Sequence, residues 1–283
     1  MAKILDGKAV AAEVRSEMAA EVARLKDRGI LVRLDVILVG DDPASATYVR
    51  MKQKDCDEVG IESRAHRFEA DTPQEELAAL VERLNRDAAV SGFFIQLPLP
   101  EGLDPLALLS EIDPAKDVDG LSPLSVGRLS IGLPSLLPCT PYGVVQLLRR
   151  SGVEIEGKEA VVIGRSNLVG KPLAQLLLRE NATVTVCHSR TKNLPEVARR
   201  ADLLVVAAGR REFVGAECVK DGAVAVDVGI HGREGGGVVG DVRFEEIEPI
   251  ASYITPVPGG VGPMTRAMLL YNTLQAAHAQ AGA

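Results

Sequence analysis

The sequence predicts a two-domain α/β protein, in which an N-terminal α/β domain and a Rossmann-like domain have a cleft between them. In both halves of the 283-residue chain, short aliphatic strands alternate with helical segments, a pattern typical of parallel sheets covered by helices. An irregular stretch rich in Pro, Gly and Ser separates the halves, and a glycine-bounded turn joins a strand to a helix in the second half. We therefore predict domains at 1–139 and 140–268, with 269–283 as a helix that packs back on the first domain.

The first half contains three predicted helices and two predicted strands. Residues 8–28 carry an apolar stripe at helical spacing, and "LVRLDVILVG" follows as a strand. The next helix begins with Asp42 before Pro43 and contains "ATYVRMKQK". "TPQEELAALVERLN" predicts a third helix that starts with a capping box of Thr72 and Glu75, and "VSGFFIQLPLP" predicts a buried strand.

The second half repeats the alternation after the irregular stretch at 103–141. Thr140 is expected to cap a helix at Pro141. A closing helix is expected from about Thr265. The predicted strands are "EAVVIG", "ATVTVC", "ADLLVVAAG" and "GAVAVDVG", and the helices between them are "KPLAQLLLRE" and "LPEVARRA".

Composition excludes several classes of function. The net charge of -7, the absence of Trp and an aromatic share of only 3% oppose a role in nucleic-acid binding. Four scattered cysteines without a CxxC pair, and four dispersed histidines, predict no metal site and favour a reducing, cytoplasmic location. No run approaches the roughly 20 apolar residues of a membrane span, and no signal peptide is expected.

The glycine turn is the first candidate for ligand binding. In "VVIGRSNLVGKPLAQLL", Gly164 ends a strand and Gly170 opens a helix, a position that suits a phosphate bound by helix amides. The alternative is a turn that needs glycine only for its geometry. The next strand ends in "VCHSRT", so Ser189 and Arg190 stand where NAD sites usually have an acid, and Arg165 lies in the turn itself. We therefore predict NADP, with a solvated basic loop as the alternative.

Tyr48 and Lys52 are the second candidate. Their spacing of four places both side chains on one face of the predicted helix. Short-chain oxidoreductases have such a pair, but there it follows the nucleotide loop within one sheet. Here the pair lies in the first half, which rejects that reading. The alternative without chemistry is a snorkelling lysine beside a partly buried tyrosine.

Eight segments, in chain order, resemble the bifunctional methylenetetrahydrofolate dehydrogenase/cyclohydrolase family over nearly the whole chain. They are "YVRMK", "IQLPLP", "DPAKDVDGL", "PCTPYG", "GRSNLVGKP", "HSRT", "DVGI" and "ITPVPGGVGPMT". The two proline-rich motifs together with "KDVDG" are very specific. Ser125 departs from the pattern, where Asn is usual, and we expect it to affect a loop contact rather than the chemistry.

The resemblance implies two reactions and a set of roles. They are the NADP-dependent oxidation of 5,10-methylenetetrahydrofolate and the hydrolysis of the methenyl product to 10-formyltetrahydrofolate. The N-terminal domain is implied as the folate-binding catalytic domain and the Rossmann-like domain as the one that binds the dinucleotide. The implied catalytic residues are Lys52, Tyr48 and Gln96, with Lys52 as the proton-transfer group, Gln96 as its hydrogen-bond partner and Tyr48 as a folate contact. Asp119 is implied as the ligand of the pterin, whereas Asp117 is expected to be structural. An isolated "DVDG" would instead be a polar turn.

The remaining expectations concern the ligand-binding loops and the assembly. By resemblance the substrate site includes Tyr48, Lys52, Gln96, Asp119, Pro258, Gly259, Gly260 and Gly262. The cofactor site includes Gly164, Arg165, Ser166, Gly170, Ser189, Arg190 and Ile230. "PVPGGVGP" read alone is a stiff loop before the last helix. Cys139 is expected to be packed, and the family implies a homodimer. A silent NADP-binding module and a monofunctional dehydrogenase remain as alternatives.

Overall fold

The chain divides into two compact units, each built around its own parallel sheet. The computed structural model describes residues 1–233 and 235–282. We call Met1–Ala12 with Thr140–Thr265 the large-sheet unit, and Glu13–Cys139 with Arg266–Ala283 the small-sheet unit. The predicted class, a two-domain α/β protein with parallel sheets, is confirmed.

The elements follow the predicted alternation. The strands are β1 (Lys3–Ile4), β2 (Arg33–Val39), β3 (Glu62–Phe68), β4 (Gly92–Ile95), β5 (Glu159–Ile163), β6 (Thr183–Cys187), β7 (Leu203–Val206), β8 (Val224–Asp227), β9 (His231–Gly232), β10 (Val238–Val239) and β11 (Tyr253–Ile254). The helices are α1 (Gly7–Asp27), α2 (Pro43–Val59), α3 (Gln74–Arg86), α4 (Pro105–Ser110), α5 (Pro123–Ser130), α6 (Cys139–Arg150), α7 (Gly170–Arg179), α8 (Leu194–Ala198), α9 (Phe244–Ile247) and α10 (Val261–Ala281). A 3-10 turn lies at Ala216–Cys218.

The small-sheet unit contains three parallel strands in the order β3-β2-β4. Every residue of β2 is buried, as expected for a central strand with both faces covered. The apolar cluster on one face joins this sheet to α3 and α4 and includes Ile37, Phe93, Leu80 and Leu108. β3 was not predicted, because its sequence "ESRAHRF" is polar and an edge strand need not be hydrophobic.

The large-sheet unit contains six parallel strands in the order β1-β11-β8-β7-β5-β6. Its four predicted strands, β5 to β8, are confirmed. The prediction assigned 1–12 to the first domain, whereas these residues group with Thr140–Thr265. The physical reason is that Lys3 and Ile4 pair in parallel with Tyr253 and Ile254 of β11. β9 and β10 form a separate antiparallel pair.

Several local predictions need correction. The capping box of α3 is wrong: Pro73 is the N-cap residue and no side chain caps the helix. Thr140 does not cap α6, which already begins at Cys139. α10 begins at Val261, before the expected start.

The stretch predicted as irregular contains α4 and α5. Ser125 lies in α5 rather than in a loop, where its backbone amide donates to the Oγ of the capping residue Ser122. Among the helices of the described residues, none is long and apolar enough to cross a bilayer.

Candidate functional site

The first candidate site begins with the placement of α2 directly after β2. The carboxylate of Asp42 accepts a hydrogen bond from the Ser45 amide at 2.7 Å, so the predicted helix start is confirmed. α2 then carries Tyr48 and Lys52 one turn apart, and both side chains are partly buried. The chain order β2–α2 therefore places the tyrosine–lysine pair within the small-sheet unit.

Lys52 meets the end of β4. Its Nζ donates to Gln96 Oε1 at 3.1 Å, which is the hydrogen bond that the family resemblance implies. The same nitrogen lies 3.9 Å from the centroid of the Phe94 ring. Gln96 Nε2 donates to the Leu97 carbonyl at 2.8 Å, and this second bond orients the amide so that its oxygen faces the lysine. The amine is therefore held in one position by groups that belong to the sheet.

Asp119 lies in the turn between α4 and α5. Asp117 Oδ2 accepts from the Ser122 amide at 2.8 Å and its Oδ1 accepts from the Leu121 amide, so Asp117 is structural, as predicted. A Cβ at Gly120 would lie 2.6 Å from the Leu137 carbonyl carbon, so this turn requires glycine. Asp119 is left free of these turn bonds and acts on Lys52 through its charge.

Burial dominates the electrostatics of Lys52 and Asp119. It lowers the pKa of the Lys52 amine, and the negative charge of Asp119 opposes this shift. It also raises the pKa of the Asp119 carboxyl, and the charge of Lys52 opposes that shift. Both side chains keep some exposed surface, yet burial is the largest cause for each. An amine with a lowered pKa accepts a proton closer to neutral pH than an ordinary lysine does.

Cys139 packs beside this pair, as predicted. It is 3% exposed, and its Sγ donates to the Val118 carbonyl at 3.3 Å. Burial raises the pKa of the thiol well above its usual range, and the charge of Asp119 raises it further. The protonated thiol is a poor nucleophile.

Two polar residues of α10 support the small-sheet site and were not predicted. Asn272 Nδ2 donates to the Val118 carbonyl at 2.8 Å and to the Leu137 carbonyl at 2.7 Å. These two bonds connect the residue before Asp119 to the segment that precedes α6. Arg266 pairs with Asp55 of α2 at 2.5 Å. The one available signal was that Arg266 is the only charged residue in "MTRAMLLYNTLQAA".

The second candidate site is the turn between β5 and α7 in the large-sheet unit. A Cβ at Gly164 would lie 2.1 Å from the Ala207 carbonyl oxygen, and one at Gly170 would lie 2.2 Å from the Gly164 oxygen. Both glycines are therefore required by close backbone approach. Ser166 Oγ accepts from the Val169 amide at 3.1 Å and so satisfies one amide at the start of α7.

Basic side chains surround this turn at the carboxyl ends of β5 and β6. The paired residues Ile163 and Cys187 place Arg165 and the "HSRT" segment at the same edge of the sheet. Arg165, Ser189 and Arg190 are all exposed. The His188 amide donates to Thr191 Oγ1 at 2.9 Å, and the His188 ring accepts from the Arg190 amide at 3.1 Å, so the segment is an ordered turn. No acid stands at this strand end, and the site fits a phosphorylated ribose.

The "PVPGGVGP" loop also belongs to the large-sheet unit. Gly260 donates to the Pro256 carbonyl at 2.9 Å, and a Cβ at Gly7 would lie 1.7 Å from the Gly260 oxygen. A Cβ at Gly262 would meet the end of the Ile230 side chain at 3.7 Å, so the structure brings these two predicted residues together. Pro258 is exposed and Gly259 is buried. The roles of this loop in substrate binding and of Ile230 in cofactor binding stay predictions.

Comparisons with known proteins match the two halves of the chain to two domains of one family. The profile for the catalytic domain of tetrahydrofolate dehydrogenase/cyclohydrolase matches residues 5–119, and the profile for its NAD(P)-binding domain matches residues 138–281. The bifunctional protein FolD 1 of Rubrobacter xylanophilus is 73% identical over 277 residues, which cover 98% of each chain.

Solved structures give the same result. The bifunctional FolD methylenetetrahydrofolate dehydrogenase/cyclohydrolase from Campylobacter jejuni is 49% identical, with a TM-score of 0.97 and 99% of each chain covered. The dehydrogenase-cyclohydrolase of Trypanosoma brucei, complexed with NADP and an inhibitor, is 42% identical with a TM-score of 0.94, and covers 100% of this chain and 99% of its own. The chain therefore belongs to the tetrahydrofolate dehydrogenase/cyclohydrolase family.

Proposed function

We propose that the chain oxidises 5,10-methylenetetrahydrofolate to the 5,10-methenyl cation with NADP and hydrolyses that cation to 10-formyltetrahydrofolate. The observation that carries the proposal is the Lys52 amine, which is held by Gln96 and shifted by burial toward its neutral form beside Asp119. The bifunctional relatives and the NADP complex of the Trypanosoma brucei protein support both reactions and the cofactor.

We assign folate binding to the small-sheet unit, which holds most of the catalytic-domain match, and NADP binding to the large-sheet unit, which holds most of the NAD(P)-binding match. In the large-sheet unit, the amides at the start of α7 face the tight turn between Gly164 and Gly170, which suits the pyrophosphate. Arg165 and Arg190 would hold the 2′-phosphate. NADP supplies the two-electron oxidation of the folate methylene carbon when it is bound.

Lys52 is assigned the proton transfers of hydrolysis. In its neutral form Nζ accepts a proton from water while the water oxygen bonds to the methenyl carbon. The ammonium then returns this proton to N5 of the folate as the bond between N5 and that carbon breaks. The remaining hydroxyl proton leaves to solvent as the formyl group forms, so one proton is released per turnover. The hydrogen bond to Gln96 keeps Nζ in place throughout.

Asp119 and Tyr48 are assigned to folate binding. Asp119 is a partly buried carboxylate that the turn leaves free, and a carboxylate accepts from the adjacent N–H donors of a pterin. Tyr48 lies one turn before Lys52 on the same face of α2, where its ring can stack on the folate.

The test is a paired assay of both activities in the wild type and in Lys52→Met. The variant should lose about 10²–10⁴-fold in methenyl hydrolysis, the usual contribution of a general acid–base group. NADP affinity should be unchanged, because the glycine turn belongs to the other unit. Hydrolysis is followed by the loss of methenyl absorbance and binding by titration with NADP.

The matched control is Lys54→Met, which removes an exposed lysine from the same helix. It should leave both activities at the wild-type level. Full hydrolysis by Lys52→Met would remove the lysine from the mechanism. A wild type that binds NADP but lacks both activities would instead indicate a silent binding module.

We also propose a homodimer in the cytoplasm. Within the described residues β3 pairs only with β2, so its outer edge is open to a second copy of the chain. The four cysteines are buried free thiols, which suits a reducing compartment. Sedimentation equilibrium over a range of protein concentrations tests the assembly, and a monomer at every concentration would refute it.

A further inference from the structure

Arg266, the charged residue of α10 introduced above, lies against the turn of α2 that carries Lys52. Its Nε donates to Asp55 Oδ2 at 2.5 Å, and its Nη1 lies 3.8 Å from the sulfur of Met51. Met51 and Asp55 are four residues apart and therefore neighbours on one helix face. The guanidinium thus contacts the residue before Lys52 and the residue one turn later, which ties this turn to α10.

The burial of the pair distinguishes it from ordinary surface ion pairs. The side chains of Arg266 and Asp55 are 21% and 10% exposed. By contrast, Glu58 on the same helix pairs with Arg15 at 3.2 Å while 53% of its side chain is exposed. Removing one partner of a largely buried pair leaves an uncompensated charge, whereas a surface pair contributes little.

Arg266 also acts on Lys52 through its charge. Burial is the largest cause of the lowered pKa of Lys52, and the positive charge of Arg266 lowers it further. The other titratable groups that act on the amine are Asp119 between α4 and α5, Cys139 at the start of α6 and Cys56 on α2 itself, and all three raise the pKa of the amine. Among these groups of the described chain, Arg266 is the one that favours the neutral amine.

We propose that Arg266 and Asp55 position Lys52 for hydrolysis by fixing the turn of α2 that bears it and by setting the charge beside its amine. The proposal rests on the function proposed for Lys52. Arg266 and Asp55 are positioning residues rather than catalytic ones, because they act through Lys52. Asp55 offsets part of the positive charge of Arg266, so the loss of either partner should change the charge around the amine in opposite directions.

The experiment measures the pH profile of methenyl hydrolysis in Asp55→Asn, Arg266→Gln and the double variant. Asp55→Asn leaves the charge of Arg266 unopposed, which should move the rising limb of the profile to lower pH. Arg266→Gln removes the positive charge that favours the neutral amine, which should move the limb to higher pH. We expect shifts of about one pH unit in each direction. The pH profile of the double variant should return toward that of the wild type. Arg266→Lys keeps the positive charge, so its profile should lie close to that of the wild type.

Glu58→Gln is the matched control on the same helix and should not move the profile. Equal profiles in all variants, or a uniform loss at every pH, would show that the pair only supports the fold. If Arg266→Gln does not fold, the acid shift of Asp55→Asn decides alone, and its absence overturns the proposal. Lys52→Met distinguishes failure of the function proposed for Lys52 from failure of the positioning role. If this variant still hydrolyses the cation, the function proposed for Lys52 fails. If it is inactive while the pair variants show no shift, only the positioning role fails.

Discussion

The close approach at Gly164 allows a prediction whose magnitude follows from the structure. In Gly164→Ala the new Cβ would lie 2.1 Å from the Ala207 oxygen, so roughly 1.3 Å of movement is needed to reach ordinary contact at 3.4 Å. Overpacking of this kind costs about 1–3 kcal/mol. The backbone φ of +136° adds a strain of about 1–3 kcal/mol for a residue with a side chain. Together these two costs predict a loss of about 2–6 kcal/mol in the free energy of unfolding.

Urea denaturation followed by circular dichroism measures this loss, and NADP titration measures its effect on the turn. NADP affinity should fall by about tenfold to a hundredfold, since the turn is displaced by about 1 Å. Gly157→Ala is the matched control, because φ is +72° there and nothing lies within 4 Å of the added Cβ, so only about 1–2 kcal/mol is expected. Gly127→Ala, in the exposed middle of α5, should stabilise by about 0.5–1 kcal/mol. The reasoning is refuted if Gly164→Ala costs no more than Gly157→Ala.

Three further outcomes are expected. Asp119→Ala should weaken folate binding by about one to two decades, because it removes a charge-assisted hydrogen bond worth about 1.5–3 kcal/mol. NADP affinity should not change. If a titration shows unchanged folate affinity, Asp119 is only a turn residue. The double variant Arg165→Ala/Arg190→Ala should lose about 2–4 kcal/mol of NADP affinity but little NAD affinity. In the wild type, the preference for NADP over NAD should fall as the salt concentration rises. Equal losses of kcat/KM for both cofactors in the double variant would contradict the assignment. Burial raises the pKa of Asp227 to about 6, so the folded chain binds a proton more tightly than the unfolded chain, and acidification from pH 7 to 5 should add about 1 kcal/mol to the free energy of unfolding. Urea titrations should show this gain in the wild type and not in Asp227→Asn, and equal pH dependence of the two would contradict the shift.

The parts of the site that sequence could predict are those with a local signal. The spacing of four residues between Tyr48 and Lys52 is enough to predict that both side chains lie on one helix face. The close approaches at Gly164 and Gly170 are what a tight strand-to-helix turn requires. The hydrogen bond from Lys52 to Gln96 was inferred from family resemblance, since its partners are far apart in the chain and only the sheet brings them together.

The missed features have no local signal. The contact between Arg266 and Asp55 joins residues 211 positions apart, so neither helix reveals it alone. The pairing of β1 with β11 depends on strands of two residues each, which are too short to show alternation. The capping box predicted at Thr72 was wrong because the residue types alone do not determine which residue occupies the N-cap position, and in the structure it is Pro73.

The pairing of β1 with β11 has a consequence for synthesis. β1 can complete its hydrogen bonds only after Tyr253 and Ile254 of β11 have emerged from the ribosome. The small-sheet unit waits even longer, because α10 supplies Asn272 to the Asp119 turn and Gln280 Nε2 to the Ser91 carbonyl at 2.6 Å. A nascent chain therefore carries two unfinished units until α10 has been synthesised, with apolar strands open to aggregation and to chaperones. A message truncated before residue 253 would thus yield no half-active enzyme, only a chain in which neither unit is complete.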